Sequence, residues 1–100
     1  MATTTKALAR AAAATTSTTL YTVPASTTAV VTNIVVTNTA ASSATFTIKL
    51  DGVDLVSGST LAANSSAFFD LKQVLATTKI IAGFASATTV NFHISGVEIA

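Results

Sequence analysis

The chain has 100 residues, of which nine per cent are charged and half are apolar, with a formal net charge of +1. An ordinary domain is about a quarter charged, and so small a net charge excludes the basic footprint of a nucleic-acid-binding protein. There is no cysteine, which excludes disulfides, thiolate metal sites and thiol catalysis, and no apolar run reaches the roughly 18–20 residues of a membrane span.

Residues 1–17 are expected to form an N-terminal arm, ahead of a sandwich domain over 18–100. Lys6 to Ala14 is alanine-rich and favours helix, but is too short to hold one alone. It reads as a helical turn or an extended arm lying on a neighbour. The lack of acids and the wealth of Ala and Thr also fit a transit peptide, whereas Arg10 interrupts the apolar core a secretory signal needs. A mature arm is the preferred reading.

From Leu20 onward the pattern is β. Leu20 to Val23 is a short strand stopped by Pro24, which cannot donate to a ladder. Thr28 to Thr39 is dense in β-branched residues, which suit the pleat. Strict alternation puts Val30, Ile34 and Val36 on one face and Val31, Asn33 and Val35 on the other. Both faces are apolar, so a central strand with a second covered side is expected. In Thr45 to Leu50, Phe46, Ile48 and Leu50 point inward while Thr45, Thr47 and Lys49 point outward. Asp51-Gly52 follows, and Val53 resumes the apolar pattern; Asp-Gly between such runs predicts a hairpin whose two central residues take positive φ.

Ser57-Gly58-Ser59 reads as a break, and Leu61 to Ser66 as a loop. Ala67 to Leu71 is a strand, and Gln73 to Thr78 reads as either a helical turn or a crossover. In Lys79 to Phe84 the glycine at 83 signals a bulge or a close approach. Thr89 to Ile99 closes the chain with Val90, Phe92 and Ile94 on one face. Six to eight short strands with regular turn signals predict an all-β, antiparallel β-sandwich, its jelly-roll or immunoglobulin-like order left open. No internal repeat is present.

Little in the sequence announces chemistry. His93, the single histidine, faces away from the expected core, two residues from Ser95. No motif supplies the orienting carboxylate or oxyanion site that a catalytic pair needs. Asp51-Gly-Val-Asp54 lacks the ordered oxygens and closing bidentate acid of a calcium loop. A hairpin turn with solvated aspartates accounts for it. Asn64-Ser65-Ser66 matches a glycosylation pattern that is common by chance, and the threonines lack the repeat of a lattice-binding array. No catalytic, cofactor-binding or metal-ligating residue is assigned, and neither enzymatic activity nor a cofactor is expected.

The charges are unevenly spread. Lys6, Arg10 and Lys49 are the only ones in the first half, whereas Asp51, Asp54, Asp70 and Glu98 all lie in the second, with Lys72 and Lys79. Such asymmetry can guide one subunit onto the arm of another. A chain that shows so little charge is suited to being covered: desolvating Thr and Ala costs less than desolvating Lys and Glu. Lys6, Leu8 and Arg10 on the arm are candidate interface residues. Val31, Val35 and Phe69 are candidates for a face turned away from the core.

The stretch Tyr21-Thr-Val-Pro24-Ala25, running through Thr27-Thr-Ala-Val-Val31 into Asn33-Ile-Val-Val36-Thr37-Asn38-Thr39, resembles small structural proteins of tailed bacteriophages. The resemblance continues in Ile48-Lys-Leu-Asp51-Gly52, Leu61-Ala-Ala-Asn64 and Ser95-Gly96-Val97-Glu98-Ile99. It implies a virion component made in the host cytoplasm, with a β-sandwich fold. Such proteins clamp the capsid shell as decoration or cement proteins, often as trimers, or serve in the tail, baseplate or fibre attachment. The implied partners are further copies of the chain, with a homotrimer favoured, and the major capsid protein or tail proteins. No partner is expected among nucleic acids or membranes.

Overall fold

The alternation of β-branched residues with Thr and Ser dictates strands, and strands are what form. The computed structural model describes residues 3–100. It contains eight: β1 (Thr3–Ala12), β2 (Thr18–Thr22), β3 (Thr28–Asn38), β4 (Ala44–Leu50), β5 (Val53–Leu61), β6 (Ser66–Leu75), β7 (Ile80–Ala85) and β8 (Val90–Ile99). They make two four-stranded antiparallel sheets, ordered β1-β8-β3-β6 and β2-β7-β4-β5. First pairs with last, second with seventh, third with sixth and fourth with fifth. This nested pairing is that of a hairpin folded over on itself, a jelly roll, and it decides the order that the spacing of turns left open.

The core lies between the sheets. Ile34, Val36, Ile48, Ile81, Val90, Phe92 and Ile94 are fully buried, and Phe46 is nearly so. The inward set of β4 is the expected one, Phe46, Ile48 and Leu50. The β4–β5 turn has Asp51 at φ 54° and Gly52 at φ 75°, the doubly positive pair that Asp-Gly supplies. Gly83 is a close approach: a Cβ there would stand 3.2 Å from both Leu20 Cδ1 and the Thr47 carbonyl oxygen.

Four expectations need correction. The register of β3 against both neighbours shifts between Val31 and Asn33, so Thr32 is an extra, exposed residue opposite β8. The bulge resets the alternation. Ala29 and Val31 face inward before it and Ile34 and Val36 after it, leaving Val30, Asn33 and Val35 on the outer side. Val31 is therefore a core residue, fully buried.

The segment expected to be an arm supplies an edge strand instead. Residues Thr3 to Ala12 pair with β8 over its whole length, and a bulge between Ala7 and Ala9 turns Leu8 into the core. Backbone pairing with β8 and burial of Leu8 override the helix propensity of the alanines. Met1 and Ala2 of the proposed arm lie outside the described residues.

Ser57-Gly58-Ser59 does not end a strand. Ser57 and Gly58 face Thr47 alone, and Gly58 takes φ 56° and donates its N–H to Thr47 Oγ1 at 3.0 Å. The glycine makes a bulge within β5, and the buried hydroxyl of Thr47 caps it. Gln73 to Leu75 is neither helical turn nor crossover, but the end of β6, and Leu75 is buried beside Ala29.

Candidate functional site

The outer face of the β1-β8-β3-β6 sheet is the broad surface on which the sequence candidates can be placed. The registers arrange it in rows that cross all four strands. Arg10, His93, Val35 and Phe68 form one row, and Thr5, Val97, Val30 and Val74 another. Between them runs Ala7, Ser95, Asn33 and Asp70, and beyond them Ala12, Asn91, Thr37 and Ser66. Phe68 is 65% exposed and Val74 67%, both on β6, while Val30, Val35 and Val97 are half-buried between neighbours. The face is thus apolar toward β6, where Asp70 and Lys72 also stand exposed, and carries Arg10 at the β1 edge.

Of the six candidate interface residues, the structure places three where partners can reach them. Lys6 and Arg10 are exposed on β1, and Val35 lies half-buried on the outer face. Leu8 and Val31 belong to the core. Phe69 faces inward, its ring edge-on to Phe46 with centroids 6.2 Å apart, and its neighbour Phe68 is the one that faces out. The signal for this was available. Ala67, Phe69, Leu71 and Leu75 share one parity and pack on the core, so the opposite parity, Phe68 with Val74, had to face solvent.

Lys6 belongs to a polar cluster at the open end of the sandwich. Its Nζ lies 3.4 Å from both carboxylate oxygens of Glu98, and the Tyr21 hydroxyl donates to Glu98 Oε2. The cluster ties β1, β8 and β2 together and so links the two sheets. The phenol and the ammonium beside it hold the Glu98 carboxyl below its ordinary range, against a smaller opposing effect of burial. Burial, reinforced by the Glu98 hydrogen bond and charge, pushes the Tyr21 phenol well above its ordinary value of 10.0.

The other titratable residues are dispersed. Asp51 pairs with Lys79 at 3.7 Å and Asp54 with Lys49 at 4.0 Å, while Asp70 lies on the opposite sheet. Among the described residues no three His, Asp or Glu side chains converge as metal ligands would. His93 and Ser95 lie on the outer face, and His93 stands opposite Arg10 on one side and Val35 on the other. Neither neighbour is the carboxylate that would orient an imidazole for base catalysis. Two shallow hollows mark the face, one lined by Arg10, Ala11, Ala12, Asn91 and His93, the other by Thr32, Asp70, Leu71 and Lys72 beside the β3 bulge.

No protein-family model matches the chain, and no curated protein is similar to it. Among solved structures it is similar to one described as the structure of infectious bursal disease virus Gx strain, with 15% identity and a TM-score of 0.46. The likeness covers 97% of this chain and 31% of that one, so the chain spans about a third of the length of its structural neighbour.

Proposed function

We propose that this chain is a structural protein of a virus particle, a tailed-phage decoration protein that clamps the capsid shell from outside. The observation that carries the reading is the outer face of the β1-β8-β3-β6 sheet, where Phe68, Val74, Val30, Val35 and Val97 lie among small hydroxyl and amide side chains. Covering such a face removes apolar area from water and desolvates few charges. Repeated over many capsid subunits, weak contacts of this kind add up to firm attachment with no chemical step. The resemblance of residues from Leu20 onward to phage structural proteins supports the same reading, as does the jelly-roll order, an architecture that viral capsid domains use. Fold alone is an analogy, so the test is one of location.

Gold-labelled antibody against the protein, applied to intact phage particles, is expected to decorate the head. Label confined to the tail moves the protein to a baseplate or fibre-attachment role. Particles that carry no label at all overturn the virion assignment.

A further inference from the structure

Each sheet has two edge strands, and three of the four edges are short, break their own side-chain alternation or carry a positive-φ residue, features that discourage pairing with another chain. Strand β1 is bulged at Leu8, and its charges, Lys6 and Arg10, are both cationic. β2 has only five residues. β5 is interrupted by the positive-φ bulge at Gly58. β6 differs. Its register against β3 shifts where Leu71 and Lys72 stand opposite Thr32 alone, yet its own alternation is unbroken: it runs ten residues with no glycine, proline or positive-φ position, and its outward side chains, Phe68, Asp70, Lys72 and Val74, are all exposed.

Asp70 and Lys72 are also unusual among the charges. Of nine charged residues, six form ion pairs, and only Arg10, Asp70 and Lys72 have no partner among the described residues.

We propose that β6 pairs antiparallel with β6 of a second copy of this chain, about a twofold axis through Leu71 and perpendicular to the sheet. In that register Asp70 stands directly opposite Lys72 of the second copy, and Lys72 opposite its Asp70. Phe68 stands opposite Val74, also twice. Opposite charges and apolar side chains facing each other across antiparallel strands stabilise the pair, and like charges there do the reverse. Moving the axis one residue, to Asp70 or to Lys72, sets that residue against its own copy, like charge against like. Moving it to Phe69 sets Phe68 against Asp70. β1 offers no such register, because the bulge at Leu8 turns Lys6 and Arg10 to opposite faces and both are cations, so the contact is specific to β6. An isologous contact of this kind is self-complementary by construction. It makes one continuous eight-stranded sheet and joins the exposed Phe68 and Val74 of the two copies. The pairing departs from the trimer implied by the phage resemblance and does not rest on the virion reading.

Sedimentation equilibrium of the full chain over a range of concentrations tests it, alongside Asp70→Lys, Lys72→Asp and the double swap. Both positions are exposed, and a far-UV spectrum with thermal unfolding checks that each variant is folded. The unaltered chain is expected to dimerise, and each single swap to weaken the dimer roughly ten-fold or more by opposing like charges twice. The double swap restores it, and the two single variants mixed in equal amounts form a heterodimer. A chain that stays monomeric at every concentration overturns the proposal. So does an oligomer, trimer included, whose mass ignores both single swaps. Either result leaves the particle-labelling experiment unaffected, and absence of label leaves this one unaffected.

Discussion

Asn38 is the residue on which one end of the sandwich closes. It is fully buried at the end of β3. Its Nδ2 donates to the Ser42 carbonyl at 2.8 Å and reaches the Leu61 and Ala62 carbonyls at 3.3 and 3.4 Å. Its Oδ1 accepts from the Ala40 N–H at 3.1 Å and the Thr89 hydroxyl at 3.3 Å. One amide at the end of β3 thus satisfies backbone of β5 in the opposite sheet, of the loop after it and of the loop between β3 and β4. Asn38→Ala is expected to cost about 2–4 kcal/mol, because several buried groups lose their partner together; urea unfolding measures it, and a cost below about 1 kcal/mol would refute the role.

At the other end, Tyr21, Glu98 and Lys6 make stability depend on pH. A carboxyl held below its ordinary value of 4.5 in the fold adds stability above that value and loses it as pH falls through the folded one. A phenol held above 10.0 adds stability below that value and loses it as pH rises through the folded one. Tyr21→Phe removes the largest influence on Glu98, so the loss of stability between pH 7 and pH 3 should shrink relative to the unaltered chain. Unfolding curves at the two pH values compare them, and an unchanged difference would separate Tyr21 from Glu98. In the sequence, Tyr21 and Glu98 stand 77 positions apart, and no local pattern joins them.

At the scale of the element, β3 shows how one inserted residue redirects a strand. Its sequence has valine on both parities, which alternation reads as two apolar faces. The bulge at Thr32 folds most of that apolar content onto one side, because Val31 and Ile34 both reach the core. Val31→Ala is expected to cost about 2 kcal/mol through the cavity it leaves. Val35→Ala, at a half-buried outer position, is expected to cost less than about 1 kcal/mol. Chemical denaturation of the two variants checks the phase, and equal costs would argue against the bulge. β4 was legible because its alternation is unbroken on the inner side, and the Asp51-Gly52 turn because the backbone requirement is local to two residues. β1 was not legible: its alanines speak for helix, and only β8 beside it makes a strand of them.

For the molecule as a whole, the outer face of one sheet concentrates what the chain offers to partners. Arg10, Val35, Phe68 and Val74 come from three strands that are distant in the chain, and only the registers bring them into adjacent rows. The division of charge noted in the sequence acquires a shape. Arg10 lies on the β1 edge of that face, whereas β6 carries one charge of each sign, Asp70 and Lys72, and this balance is what lets the proposed β6 pair form.

The sequence by itself determined the all-β class, the last two strands, the Asp51-Gly52 hairpin, the inward face of β4 and β8, and the charge-poor surface. These depend on periodicity and turn chemistry, which act over a few residues. Tertiary structure alone decided the jelly-roll order, the conversion of residues 3–12 into an edge strand and the phase of β3. Each of these depends on which strands lie side by side, and that is set by burying the apolar faces of eight strands at once, a condition no single stretch of the chain contains.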